Sequence, residues 1–279
     1  PATATDVGVM PNVILRTKDA GAYPSVKLDE SAELLTVVFP KIHDADAAII
    51  RCGDETVLID CASAKQASAV VTALKLMGVT RVNAVINTHP HYDHLEGLAV
   101  IADAVQVDEL CICFHEKYND RMEEAVAVCA AKGIAVTHYA DGDVMNIGSA
   151  TLTSYLKGDA EWDLNGKSAI QMLRFKERTM LFTADATNRA QKRVVEKLGA
   201  SALKADILKY PHHGLNAMAE EFKTAVSPEL AIITNMTPRT YDATYQMGLA
   251  NISYMFTTTG IIQARTDGSV WVVDYLAGK

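Results

Sequence analysis

Six consecutive positions, His89-Pro90-His91-Tyr92-Asp93-His94, carry three imidazoles and a carboxylate, and the later stretch His212-His213-Gly214 adds two more imidazoles. Five of the chain's eight histidines therefore fall in two short segments. Neutral imidazole and carboxylate are the donors that zinc and neighbouring divalent metals take, and a solvated loop needs no imidazole to stay soluble. Two such ions about 3.5–4 Å apart, sharing a hydroxide derived from water, supply a nucleophile at neutral pH and Lewis acidity toward an oxygen that gains charge. The chemistry these residue types allow is hydrolysis, at phosphorus or at an activated carbonyl.

Such donors need rigid elements to hold them. Arg81–Ile86, just ahead of the cluster, is an apolar, β-branched run that reads as a buried strand, and residues 95–101 after it have helical spacing. The cluster is thus expected on a strand-to-helix turn, with His89 and His91 facing one side and Asp93 and His94 another. A second apolar run, 180–183, leads to Asp185, and a third, 205–209, leads to His212 and His213.

Around these runs the pattern predicts a mixed order of elements. Strands are expected at 33–39, 47–52 and 56–60, with Gly53-Asp54 as a hairpin turn. A helix over 64–78 stops at Gly78. Then follow a helix at 95–105, strand 107–114, helix 119–132 and strand 134–139. The second half predicts strands at 150–156, 168–175, 179–183, 205–209, 230–234, 253–257, 260–265 and 270–273, with helices at 188–198, near 217–225 and near 241–249. Residues 1–27, rich in Ala, Thr, Pro and Gly, read as an extended arm laid over the domain or partly disordered. No linker composition interrupts the remainder, so 28–279 is expected to be one domain. Two β-rich halves with interspersed helices imply an α/β (α+β) fold in which two packed sheets are flanked by helices.

Composition narrows the partners. The net charge is −8, from 26 Lys plus Arg against 34 Asp plus Glu, which argues against long duplex nucleic acid and against anionic membranes. No apolar run of about eighteen residues occurs, so no membrane insertion is expected. The first residue is Pro1 rather than Met, consistent with either a processed extracytoplasmic protein or a trimmed cytoplasmic one. The five cysteines lack paired C-x-x-C spacing and do not form a disulfide framework. Cys111 and Cys113 are expected as small core residues, and His115 and His138 as histidines outside the cluster.

The pattern His-x-His-x-Asp-His after a strand, an Asp after a later strand and a His-His-Gly after a third resembles the metallo-β-lactamase fold superfamily, over residues 34–276. Within it, Pro211 to Gly214 and the stretch Trp162-Asp163-Leu164-Asn165-Gly166-Lys167-Ser168 look most like the hydrolase domain of competence-type DNA-uptake proteins and related phosphodiesterases. The resemblance implies a four-layer αββα sandwich and two divalent ions, zinc first, with manganese or iron as alternatives. It assigns His89 and His91 to the first ion, Asp93, His94 and His213 to the second, and Asp185 as the bridge. Asp93, Asp185 and His212 would then serve catalysis, His212 as a positioning or substrate-contacting group, and Asp60 would support the metal loop from behind.

One departure stands out. Most members carry another His before the Asp185 strand as a third ligand of the first ion, whereas residues 158–168 contain none. Asp159, Asp163, Asn165 or a water molecule are the alternatives. Subgroup likeness points to a small phosphodiester or short single-stranded nucleic acid as substrate, with Lys209, Arg239 and Thr240 as candidate phosphate contacts. Lactone or β-lactam hydrolysis is the alternative hydrolase, and an iron oxidoreductase or a noncatalytic binding module the alternative of another class. Oligomeric state leaves no mark on the pattern.

Overall fold

The computed structural model describes residues 11–16, 26–156 and 162–276. Its strands in chain order are β1 (Val13–Leu15), β2 (Leu35–Phe39), β3 (Ala48–Cys52), β4 (Glu55–Ile59), β5 (Arg81–Ile86), β6 (Gln106–Ile112), β7 (Ala135–His138) and β8 (Val144–Ile147). They continue with β9 (Ala150–Tyr155), β10 (Ile170–Phe175), β11 (Arg178–Phe182), β12 (Ile207–Lys209), β13 (Leu230–Ile233), β14 (Ser253–Phe256), β15 (Ile262–Thr266) and β16 (Trp271–Tyr275). The helices are α1 (Ala67–Leu76), α2 (Tyr92–Leu95), α3 (Leu98–Ala104), α4 (Asp120–Lys132), α5 (Asn188–Leu198), α6 (Ala200–Leu203), α7 (Glu220–Val226) and α8 (Tyr241–Leu249).

Two sheets result, one of nine strands in the order β1-β16-β15-β2-β3-β4-β5-β6-β7 and one of seven in the order β14-β13-β12-β11-β10-β9-β8. Period-2 alternation decides what each sheet buries. On β3, Ala48, Ile50 and Cys52 point into a core that also takes Leu173 and Phe175 of β10 and Phe182 of β11, so this core lies between the sheets. Ile49 points the other way, into a second core with Val70 and Leu74 of α1 and Met122 of α4. The outer face of the second sheet, with Met172 and Leu208, packs on Val194 of α5, Phe222 of α7 and Met247 of α8. The layers are therefore helix, sheet, sheet, helix, as the αββα expectation requires.

Three elements differ from the sequence reading. Val13–Leu15, inside the expected arm, is a buried edge strand paired in parallel with β16, and the Glu229 carboxylate accepts from the Asn12 and Val13 N–H groups at 3.1 and 3.0 Å. Three residues are too few to show a period. β8 was not expected; it pairs antiparallel with β9. The helix expected at 95–105 is divided, with α2 beginning inside the histidine cluster and α3 starting after Gly97.

Candidate metal centre

β4 and β5 pair in parallel, Ile59 opposite Ile86, and β11 and β12 pair in parallel, Phe182 opposite Lys209. Their carboxyl ends deliver Asp60, the 89–94 cluster, Asp185 and His213 to one edge of the sandwich, the usual place for a site in open α/β sheets. The turns that make this possible are strained. Asp60, Ala184, His212 and His213 all have positive φ, between 44° and 57°, which costs about 1 kcal/mol or more per non-glycine residue. At Gly214, φ is +78° and a Cβ would sit 2.8 Å from Ile233 Cγ2, so the turn after the two histidines admits only glycine. The metal loop is tied from outside by Asn119, whose Oδ1 caps α4 by accepting from Met122 N–H while its Nδ2 donates to Pro90 O at 3.0 Å.

Two groups of donor atoms meet at Asp185. Its Oδ1 lies 3.3 Å from His94 Nε2 and 3.4 Å from His213 Nε2, and Asp93 Oδ2 lies 3.2 Å from the same His213 nitrogen. Its Oδ2 faces the other way, 3.8 Å from His89 Nε2 and 3.7 Å from His212 Nε2. His91 Nδ1 is 2.9 Å from His89 Nε2. Donor atoms of Asp93, His94, Asp185 and His213 lie within 4.8 Å of one another, and so do those of His89, His91 and Asp185. The sequence reading placed His89 with His91 and Asp93 with His94; the structure brings them together in that division.

Each imidazole of the deeper group is backed by a carboxylate. Asp60 Oδ2 accepts from His94 Nδ1 at 2.7 Å and from the Thr88 hydroxyl at 2.7 Å, while its Oδ1 accepts from Thr88 N–H at 2.9 Å and Asn87 Nδ2 at 3.1 Å. Thr88 Oγ1 in turn lies 3.1 Å from His89 Nδ1. That hydroxyl already donates to Asp60, so it accepts from His89 Nδ1–H and leaves Nε2 as a lone-pair donor facing the site. Behind His213, Asp46 Oδ1 lies 3.1 Å from Nδ1 and accepts the Thr234 hydroxyl at 2.7 Å, and Lys209 Nζ pairs with Asp46 Oδ2.

Asp46 was missed in the sequence reading, because an Asp between two alanines ahead of a strand reads as an ordinary turn residue. Lys209 was expected as a phosphate contact. It is instead 3% exposed, held by Asp46 and by Ala184 O, which accepts at 3.0 Å, and so cannot reach a substrate. Thr240 is likewise buried, and Arg239 pairs with Asp44.

Electrostatics separate the two groups. Burial pushes His89 well below the ordinary imidazole value, assisted by the neighbouring His94, and burial also lowers His91 and His212. Burial would lower His94 and His213 too, but Asp185 with Asp60, and Asp185 with Asp46, outweigh it and hold both well above that value. Burial raises the Asp185 carboxyl, yet His213 and His94 outweigh it and hold it well below the carboxylate range. Buried acids thus rely on protons parked on imidazoles. His94 Nε2 and Asp185 Oδ1, both buried, have no hydrogen-bond partner among the described residues. Orphaned donor atoms amid surplus buried carboxylate are what a divalent cation would satisfy, so these residues fit a pair of metal ions.

Around the first group the candidates separate. Asp163 Oδ1 accepts Gly166 N–H at 2.7 Å and closes its own turn. Asp159 lies outside the described residues. Asn165 Nδ2 is 3.4 Å from His212 Nε2. His115 Nδ1 accepts from Lys117 N–H, His138 ends β7, and neither joins a donor group among the described residues. All five cysteines are free, and Cys111 lies in the core between the sheets.

Comparison with known proteins agrees with this fold. The family model described as "Metallo-beta-lactamase superfamily" matches residues 43–233. The metallo-beta-lactamase fold protein YhfI from Bacillus subtilis is similar in structure, with a TM-score of 0.55 at 14% identity over 80% of this chain and 96% of that one. CmlA from Streptomyces venezuelae, a diiron beta-hydroxylase, has a TM-score of 0.54 at 16% identity over 88% of this chain; the match spans 53% of the CmlA chain, about half its length. A search of curated protein sequences finds no match.

Proposed function

The chain belongs to the metallo-beta-lactamase superfamily, and from that premise we propose that it is a two-metal hydrolase acting on a small phosphodiester or a short single-stranded nucleic acid. The observation that carries the reading is Asp185, whose two carboxylate oxygens face opposite donor groups, Oδ2 toward His89 and Oδ1 toward His94 and His213. His89, His91 and Asp185 would hold one ion, and Asp93, His94, Asp185 and His213 the other, with zinc first and manganese or iron as alternatives. Two divalent ions held there would supply Lewis acidity and a water acidic enough to provide a nucleophile at neutral pH.

The protein's own groups do the rest. Asp60 and Asp46 hold His94 and His213 with Nε2 turned into the site. Asp93, whose side chain is 12% exposed against 2% for Asp185, is the carboxylate placed to accept a proton from an attacking water. His212, 30% exposed at the mouth beside Asp185, is the group we assign to a nonbridging phosphate oxygen. Lys167, on the 162–168 loop with Nζ 3.2 Å from the Tyr118 hydroxyl, is a cation on the same rim. The substrate reading draws its support from the likeness of 162–168 and 211–214 to competence-type hydrolases, and the net charge of −8 favours a short substrate over a long one.

The test is comparative turnover of bis(p-nitrophenyl) phosphate, a simple lactone and a chromogenic β-lactam, with zinc and with manganese, alongside analysis of the metal retained on purification. Fastest turnover of the phosphodiester is expected. Faster lactone or lactam turnover under both metals would overturn the substrate class, and retained iron would support the oxygen chemistry for which CmlA is named.

A further inference from the structure

The group formed by His89, His91 and Asp185 offers three donor atoms, one fewer than the group beside it. A tetrahedral site built from three protein donors leaves its fourth position open, and the side chain of Asn165 interacts with His91, a member of this group. We propose that Asn165 completes the first group through its side-chain oxygen, in place of the absent imidazole, and that His212 holds the amide in the required orientation. This assignment rests on the two-metal reading above.

The loop that carries Asn165 is tied to its surroundings at both ends. Ala169 N–H donates to Thr88 O at 3.1 Å, tying the start of β10 directly to the residue before His89. Trp162 at the other end is buried under the Arg189 guanidinium, 4.8 Å from the ring centroid. Between them Asp163 Oδ1 takes Gly166 N–H, and a Cβ at Gly166 would approach that oxygen to 3.0 Å, so a larger residue there would crowd the turn. Asn165 O accepts Ser168 N–H at 3.1 Å. The backbone of Asn165 is therefore committed to the loop, and its side chain is left to act at the site.

Its two ends have different fates. Nδ2 lies 3.4 Å from His212 Nε2. An amide NH2 group only donates, so His212 Nε2 is the acceptor in this contact and the ring proton sits on Nδ1. Oδ1 is buried and has no hydrogen-bond partner among the described residues. The amide also interacts with the side chain of His91, a member of the first group. A buried, unpaired carbonyl oxygen costs about 1–3 kcal/mol, a cost that coordination would remove. Asp163 is spent on its turn, and His212 falls outside the set of donor atoms that converge with His89 and His91. An amide oxygen is a neutral, hard donor. It makes the first group richer in oxygen than a three-imidazole site and shifts its preference toward manganese and other hard ions.

The test is titration of metal-free protein with cobalt(II), read by visible absorption and by the equivalents retained after desalting, with near-ultraviolet circular dichroism as the check on folding. Wild type should take two equivalents. Asn165→Ala should keep one and bind the other at least about tenfold more weakly. His212→Ala should weaken the same equivalent to a lesser degree, and Asn165→Asp, the same shape with an anionic oxygen, should tighten it. Wild-type affinity for both equivalents in Asn165→Ala overturns the assignment, as does loss of the first equivalent in His212→Ala with its retention in Asn165→Ala. Should Asn165→Ala lose its native dichroism, Asn165→Asp decides, and unchanged first-site affinity there overturns the assignment. Uptake of fewer than two equivalents by wild type overturns the two-metal reading, and this assignment with it.

Discussion

Lys209 and Asp46, 163 residues apart in sequence, form an ion pair buried behind the imidazole of His213. Asp46 is thereby shared between an ammonium on one oxygen and His213 with Thr234 on the other. Burial raises its carboxyl, but Lys209 and His213 outweigh that and hold it far below the carboxylate range. Removing one member of such a pair strands the other charge away from water. Asp46→Asn is expected to cost about 3–5 kcal/mol in denaturant-induced unfolding, and Lys209→Met in the same chain should recover part of it. Equal stability of Asp46→Asn and wild type would show that the pair has no structural weight.

Asp185→Asn tests the shared carboxylate. A neutral amide cannot balance two cations, and turnover should fall by at least about a hundredfold with loss of bound metal. Wild-type activity and metal content in that variant would refute the two-metal assignment.

Metal uptake should release protons. His94 and His213 are held well above the ordinary imidazole value despite burial, by Asp185 together with Asp60 and Asp46 respectively. Without metal both are protonated near neutrality, and an ion must displace those protons. Affinity therefore rises with pH and is lost on acidification. The metal-free fold shows the opposite sign: the stability from these raised values is fully present below the unfolded imidazole pKa of about 6.5 and is lost as pH rises through the folded values. Calorimetric titration in buffers of different ionisation heat counts the protons, and a buffer-independent heat would contradict the prediction.

The two ions should also leave separately. The group of Asp93, His94, Asp185 and His213 holds two carboxylates, against the one, shared, of His89, His91 and Asp185, to which Asn165 would add only a neutral amide. A chelator titration with bound metal monitored should show two steps, the first equivalent leaving from the His89 side. A single step releasing both would count against unequal sites.

The cysteines should be silent in the native state. Burial pushes Cys111 and Cys113 up to about 12 and Cys129 to about 11, so at pH 8 the thiolate fraction is on the order of one in a thousand or less. A disulfide reagent that measures thiols should react slowly until denaturant is added. Prompt reaction of native protein would show that these sites open readily.

What the sequence determined by itself follows from local rules. Apolar β-branched runs ending in His, Asp or His-His-Gly located the carboxyl ends of β5, β11 and β12, and period-2 and period-3.6 patterns located most strands and helices, with α5 and α8 at their observed bounds. These signals sit within a few residues of one another, so a one-dimensional reading can find them. The tertiary structure decided what depends on distant partners. Asp46, an unremarkable Asp ahead of β3, stands behind His213 only because the two sheets pack face to face. Lys209, with the composition of a surface residue, is enclosed because β12 lies inside its sheet between β11 and β13. The proposal of Asn165 over Asp163 turns on which side chain closes its own turn and which, among the described residues, is left with an unpaired oxygen. Residue type announces a capacity to bind or to ionise; only packing, by removing water and bringing in remote charge, decides which groups exercise it.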